Sequence, residues 1–136
     1  MSEVSGMYKI AVLGERESVM GFAALGLAVF PVDSAEEAAE ILPGLGADAV
    51  GLNCSSGPDQ IGTVVRMMKK AAPETPIAAK PNAGLPTITE TGEAVYHMDP
   101  EDFARHMRAL KQDGASLLGG CCGTGPAYIE ALRALR

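Results

Sequence analysis

Five short apolar segments recur along the chain, and each is followed by a stretch in which apolar residues have helical spacing. Apolar runs of this length are typical of buried strands, and the stretches between them carry helix-starting residues. Strands that are apolar almost throughout and are joined by helices form parallel sheets covered on both faces. The pattern therefore predicts five βα units, with strands at 8–13, 27–32, 47–53, 76–80 and 115–119.

Five βα units are too few to close an eight-stranded barrel. A chain of 136 residues is long enough for one hydrophobic core and too short for two. We therefore expect a single α/β domain over residues 1–136, with a flavodoxin-like, doubly wound sheet of five parallel strands in a three-layer sandwich. The expected strand order is 2-1-3-4-5. The alternative is a half TIM barrel that oligomerises.

Helix starts are marked by recognisable capping residues, and one connection is unusually long. Ser34 with Glu37 forms a capping box, Pro58 suits a first helical position, and Asp99 precedes a proline and two acidic residues. Between the fourth strand and its helix, residues 81–98 form an eighteen-residue loop. Such connections usually have about two to six residues, and longer ones are functional or disordered.

Charge and composition exclude several classes of function. The formal net charge is −6 and no basic cluster occurs, so neither nucleic-acid binding nor binding to a membrane surface is supported. The polar residues 1–6 are expected to be a tail, and no signal peptide or transmembrane run is recognisable. These features predict a cytoplasmic protein whose three cysteines are reduced thiols.

The three cysteines are candidate metal ligands. Cys54 follows the third predicted strand, and Cys121 and Cys122 follow the fifth, so all three belong to the same carboxyl edge of the sheet. Three thiolates with one open position suit zinc, and the neighbouring glycines let the backbone bend toward one ion. Inert thiols in the core are the alternative, because strands three and five are about 9–10 Å apart whereas zinc requires sulfurs within about 4 Å of each other. His97 and His106 have no ligand spacing with the cysteines.

Residues 46 to the end resemble the C-terminal part of the homocysteine S-methyltransferase domain, as found in methionine synthase. Three ordered motifs carry the resemblance: GADAVGLNC at 46–54, KPNAGLP at 80–86 and GGCCGT at 119–124. The resemblance implies that Cys54, Cys121 and Cys122 bind zinc and that the fourth position takes the homocysteine thiol. It also makes Asn82 a possible fourth ligand through its amide oxygen when no thiol is bound.

Residues 7–42 are similar to the N-terminal segment of a rotor protein, designated F, of the vacuolar/archaeal-type rotary ATPase. The carrying segments are KIAVLGERESVMGF and ALGLAVFPV, followed by an acidic helix. Together the two resemblances predict an engineered or recombinant chimera, with residues 7–44 from one family and 45–136 from the other. We expect such a chain to lack catalytic function, to need no partner beyond weak homo-oligomerisation and to retain zinc as its one cofactor. The alternative is a fragment of a zinc-dependent homocysteine S-methyltransferase.

Overall fold

The computed structural model describes the backbone of residues 11–135 and their side chains from Val12 onward. The strands are β1 (Ala11–Gly14), β2 (Ala28–Pro31), β3 (Val50–Asn53), β4 (Ile77–Lys80), β5 (Thr87–Ile88), β6 (Ala94–Val95) and β7 (Ala115–Leu118). The α-helices are α1 (Arg16–Val19), α2 (Ala35–Gly44), α3 (Gly62–Ala71), α4 (Pro100–Gln112) and α5 (Pro126–Leu132). Two 3₁₀ segments, Met20–Leu25 and Arg133–Leu135, follow α1 and α5.

The five strands predicted from the apolar segments all occur, although residues 8–10 of the first lie outside the described part. They belong to two parallel sheets, one of order β1-β2 and one of order β3-β4-β7. In the described part of the chain no ladder joins these sheets, and no barrel closes. The expected single five-stranded sheet of order 2-1-3-4-5 is therefore not confirmed; what the structure shows is a mixed α/β fold with parallel sheets.

The hydrophobic core lies on one face of the three-stranded sheet. Ile77 and Ala79 of β4 are fully buried in a cluster to which helices α2, α3, α4 and α5 all contribute. On the opposite face Gly51 is exposed, and Leu117 retains half of its exposure. The described helices around this sheet thus pack on one face, which gives two layers rather than the predicted three-layer sandwich.

Side-chain caps fix the starts of two helices, as the sequence indicated. The Ser34 hydroxyl accepts a hydrogen bond from the Glu37 N–H at 3.2 Å, and the Asp99 carboxylate accepts one from the Asp102 N–H at 2.9 Å. These bonds satisfy backbone donors that have no partner within the first helical turn. The prediction for Pro58 is wrong, because α3 begins only at Gly62.

The eighteen-residue loop contains a small antiparallel hairpin. Strands β5 and β6 pair Thr87 with Val95, and the turn between them is closed by a hydrogen bond from the Gly92 N–H to the Thr89 carbonyl. At its end, the Met98 N–H donates to the Ala83 carbonyl at 3.3 Å. The hairpin therefore starts and finishes beside residues 81–84, at the carboxyl edge of the sheet.

Candidate metal centre

The sulfur atoms of all three cysteines lie within 4.8 Å of one another. The Sγ atom of Cys122 is 3.6 Å from that of Cys54 and 3.9 Å from that of Cys121. Zinc–sulfur bonds of about 2.3 Å at the tetrahedral angle place sulfurs about 3.8 Å apart. The three thiols are thus spaced as the edges of one zinc coordination sphere would require.

Cys54 is brought into the cluster by a backbone reversal directly after β3. Its N–H donates to the Lys80 carbonyl at 2.9 Å, which keeps it in line with β4. Cys54 and Ser55 then adopt left-handed conformations, with φ of 66° and 65°. Such conformations cost a residue other than glycine on the order of 1 kcal/mol. The chain accepts this strain at the point where the first thiol is presented.

Cys121 and Cys122 are brought from the other side by the extension of β7. The Gly119 N–H donates to the Ala79 carbonyl at 3.0 Å, and the Cys121 N–H donates to the Pro81 carbonyl at 2.9 Å. The segment therefore continues along β4 beyond the end of the sheet. The Thr124 hydroxyl donates to the Cys121 carbonyl at 2.7 Å and closes the turn that holds both cysteines.

Asn82 joins the two cysteine segments from below. Its side chain is almost fully buried, and its amide oxygen accepts the Cys122 N–H at 3.1 Å. Its own N–H donates to the Ser56 carbonyl at 3.0 Å, two residues after Cys54. The amide oxygen considered as a fourth ligand is thus engaged in a hydrogen bond that orients the second pair of thiols.

The three thiols differ in acidity because they share hydrogen bonds. The Ser55 backbone lowers the pKa of the Cys54 thiol, and side-chain hydrogen bonds with Cys121 and Cys122 lower it further. The hydrogen bond with Cys54 raises the pKa of the Cys121 thiol, and burial adds to the rise. Cys54 is therefore the thiol best placed to ionise before Cys121. Since the thiolate is the form that binds metals, metal binding starts most easily at Cys54.

Access to the cluster is open on one side. Cys54 and Cys121 are half-buried, whereas Cys122 is exposed. A metal held by these sulfurs would have three protein ligands and an accessible fourth position, which is the arrangement of catalytic rather than structural zinc sites. The donor set and its spacing therefore fit zinc.

Tyr96 is a site residue that the sequence motifs did not reveal. It lies in the hairpin, half-buried, with its ring against Gly123 next to Cys122. The long loop was the signal that could have led to it. The two histidines lie outside the cysteine cluster, and the His97 Nε2 atom forms a hydrogen bond with the Thr87 hydroxyl at 3.1 Å.

Comparison with known proteins agrees with this geometry. A family model described as "Homocysteine S-methyltransferase" matches residues 31–135, which include the three cysteines and Asn82. The chain belongs to the homocysteine S-methyltransferase family. Methionine synthases of Mycobacterium tuberculosis and Mycobacterium leprae are each 35% identical to it over 139 residues. Homocysteine S-methyltransferase 4 of Zea mays is 34% identical over 110 residues.

The extent of these matches bears on the expected chimera. The methionine synthase alignments cover 93% of the chain, so most of residues 7–44 align with the same proteins as the rest. The comparisons give no support to a separate origin of that segment from a rotary ATPase. The chain itself spans 11% of the length of those methionine synthases and 31% of the Zea mays protein.

No helix in the described residues is long and apolar enough to span a membrane.

Proposed function

We propose that the chain binds one zinc ion through Cys54, Cys121 and Cys122 and uses it to activate the thiol of homocysteine for methylation. The observation that carries this proposal is the spacing of the three sulfurs, 3.6 and 3.9 Å along two of the edges. The family match supports the choice of substrate. The proposal thus takes up the catalytic alternative raised from the sequence and sets aside the expectation of a chimera without catalytic function.

The protein residues hold the ion and leave one side open. When bound there, zinc would act as a Lewis acid that lowers the pKa of an incoming thiol. Cys54, Cys121 and Cys122 would supply the thiolate ligands, and Asn82 would keep Cys122 in place through its backbone N–H. In the net reaction, a bond forms between the homocysteine sulfur and the methyl carbon, the bond from methyl to its donor breaks, and the thiol proton is released.

We assign metal binding to this chain alone and methyl transfer to a larger assembly. All three thiol ligands lie within the described residues, so no partner is needed for the metal. The sheet face that carries Gly51 and Leu117 is uncovered, and a substrate bound there would face water. Methyl transfer requires the reacting groups to be held within about 1 Å of their productive positions, which a covered face provides. We propose weak self-association through this face.

Zinc content tests the metal site directly. Protein purified in trace zinc should contain close to one zinc per chain, and Cys54→Ser should lose most of it. Sharing the roughly 10–16 kcal/mol of a four-ligand zinc site among its ligands gives about 3 kcal/mol for each, or about a hundredfold loss of affinity. Met67→Ser removes an exposed sulfur-containing side chain elsewhere and should leave the zinc content unchanged. Equal zinc content in all three proteins would refute the site.

Thiol binding tests the proposed substrate. Cobalt(II) loaded in place of zinc should show sulfur-to-metal charge-transfer absorption from the three cysteines, and homocysteine should change it by adding a fourth sulfur. Homoserine, which has a hydroxyl in place of the thiol, should leave the absorption unchanged. The same response to both compounds would contradict thiol binding at the metal while leaving the cysteine site intact.

A further inference from the structure

We propose that Tyr96 is a positioning residue of the metal centre, whose hydroxyl donates a hydrogen bond to the sulfur of Cys122. The inference rests on the proposed function, because it concerns a ligand of the metal that function requires. It assigns the hairpin of residues 85–98 a role: to deliver one hydroxyl group to the most exposed of the three sulfurs.

The position of Tyr96 is set by close packing on the turn after the cysteines. Gly123 has a φ of 76°, and a Cβ atom built on it would lie 2.4 Å from the Tyr96 Cγ atom and 2.5 Å from its Cβ atom. No side chain fits between them, so the tyrosine ring lies directly against the Gly123 backbone. Since Gly123 follows Cys122, this contact holds the phenol beside the cysteine pair.

Hydrogen bonds hold the hairpin to the same turn from its far end. The Ala83 N–H donates to the Cys122 carbonyl at 2.9 Å, and the Ala83 carbonyl accepts the Met98 N–H at 3.3 Å. The Tyr128 hydroxyl of α5 donates to the Met98 carbonyl at 2.7 Å. Tyr96 is thus held two residues away from an anchored position, and its location does not depend on a bound metal.

The chemistry of Cys122 calls for a donor at this position. Cys54 and Cys121 are half-buried and already share hydrogen bonds, whereas Cys122 is exposed. A thiolate there would otherwise depend on water, and hydrogen bonds to metal ligands fix their orientation and tune their charge. Burial raises the pKa of the Tyr96 phenol, and a hydrogen bond with the Cys122 thiol raises it further. The phenol therefore keeps its proton and remains a donor.

Substitution of the hydroxyl tests this role. Tyr96→Phe keeps the ring against Gly123, so the fold should be as stable as before, while cobalt and zinc affinities should fall about tenfold, as for other partners of metal ligands. The charge-transfer absorption of the cobalt form should also shift, because one of its three sulfurs has lost a hydrogen bond. Thr91→Val is the matched control, since it removes a hydroxyl from the hairpin turn, where the Thr91 side chain contacts Thr89 at 2.9 Å.

The outcomes separate this inference from the function on which it rests. If wild-type protein binds one metal, Cys54→Ser loses it, and Tyr96→Phe matches Thr91→Val in affinity and absorption, then Tyr96 has no positioning role and the metal site stands. If wild-type protein binds no metal, both the site and the inference are wrong. A loss of affinity with unchanged absorption would assign Tyr96 to loop structure only and would also overturn the inference.

Discussion

Replacing Asn82 with alanine should weaken the metal-free protein and the metal site together. The substitution removes the acceptor of the Cys122 N–H and leaves that partly buried donor without a protein partner. An unsatisfied buried donor costs about 1–3 kcal/mol, and partial burial puts this case toward the lower part of that range, at about 1–2 kcal/mol. For a domain of this size such a loss lowers the melting temperature by about 3–8 °C.

The metal affinity should fall further than the stability alone requires. Without Asn82 the Cys122 segment loses its direct link to the Ser56 segment, and partners of metal ligands typically contribute about 10–100-fold in affinity. Thermal unfolding of the metal-free protein and competition with a chromophoric chelator measure the two effects separately. Asn53→Ala is the control, because Asn53 is an exposed amide one residue before Cys54 and should change neither quantity greatly.

Two results would refute this reasoning in different ways. If Asn82→Ala binds zinc as tightly as the wild type, the amide does not organise the thiols. If zinc binding weakens while the metal-free protein melts at the wild-type temperature, Asn82 acts as a direct ligand, as the family resemblance implies, and not through its hydrogen bond to Cys122.

Two further predictions concern protons and the core. Zinc occupancy at fixed total zinc should fall as the pH is lowered, because protons compete for the thiolates; the raised pKa of Cys121 means that this thiol limits binding first, whereas the lowered pKa of Cys54 lets it stay ionised to lower pH. A calorimetric titration in buffers of different ionisation enthalpy should show proton release, and pH-independent binding would contradict it. Phe103→Ala should lower the free energy of unfolding by about 3–5 kcal/mol, since Phe103 is fully buried with its ring 5.5 Å from that of Tyr128. In urea unfolding, Phe22→Ala, at a side chain that is 42% exposed, should cost much less, and equal losses would refute the position of the core.

Local sequence signals located most elements because their causes are local. Apolar runs marked the strands, and the side-chain caps of Ser34 and Asp99 marked helix starts that the structure confirms. The error at Pro58 has a long-range cause. A Cβ atom on Gly57 would lie 2.6 Å from the Gly84 Cα atom, so residues 57–60 pack as a turn against the loop after β4 instead of starting the helix.

The layering of the fold could not be obtained from the strands alone. A strand such as β7 is apolar on both faces, which indicates burial on both faces but not what covers them. Barrel strands and sandwich strands share this property. In the structure Ala115 is buried against the helices while Leu117 is half exposed on the open face. The choice between the sandwich and the half barrel therefore depends on which side the helices take, and that is decided by long-range packing.

The metal site formed in spite of the strand spacing because the sheet spacing no longer applies beyond the strand ends. Strands β3 and β7 lie on either side of β4, and their extensions both remain hydrogen-bonded to the chain that leaves it. The Cys54 N–H binds the Lys80 carbonyl from one side, and the Cys121 N–H binds the Pro81 carbonyl from the other. Both segments thus lean over the same two residues, and Asn82 ties them together. The convergence is encoded in the residues after β4, which makes the PNAG segment as much a part of the metal site as the cysteines.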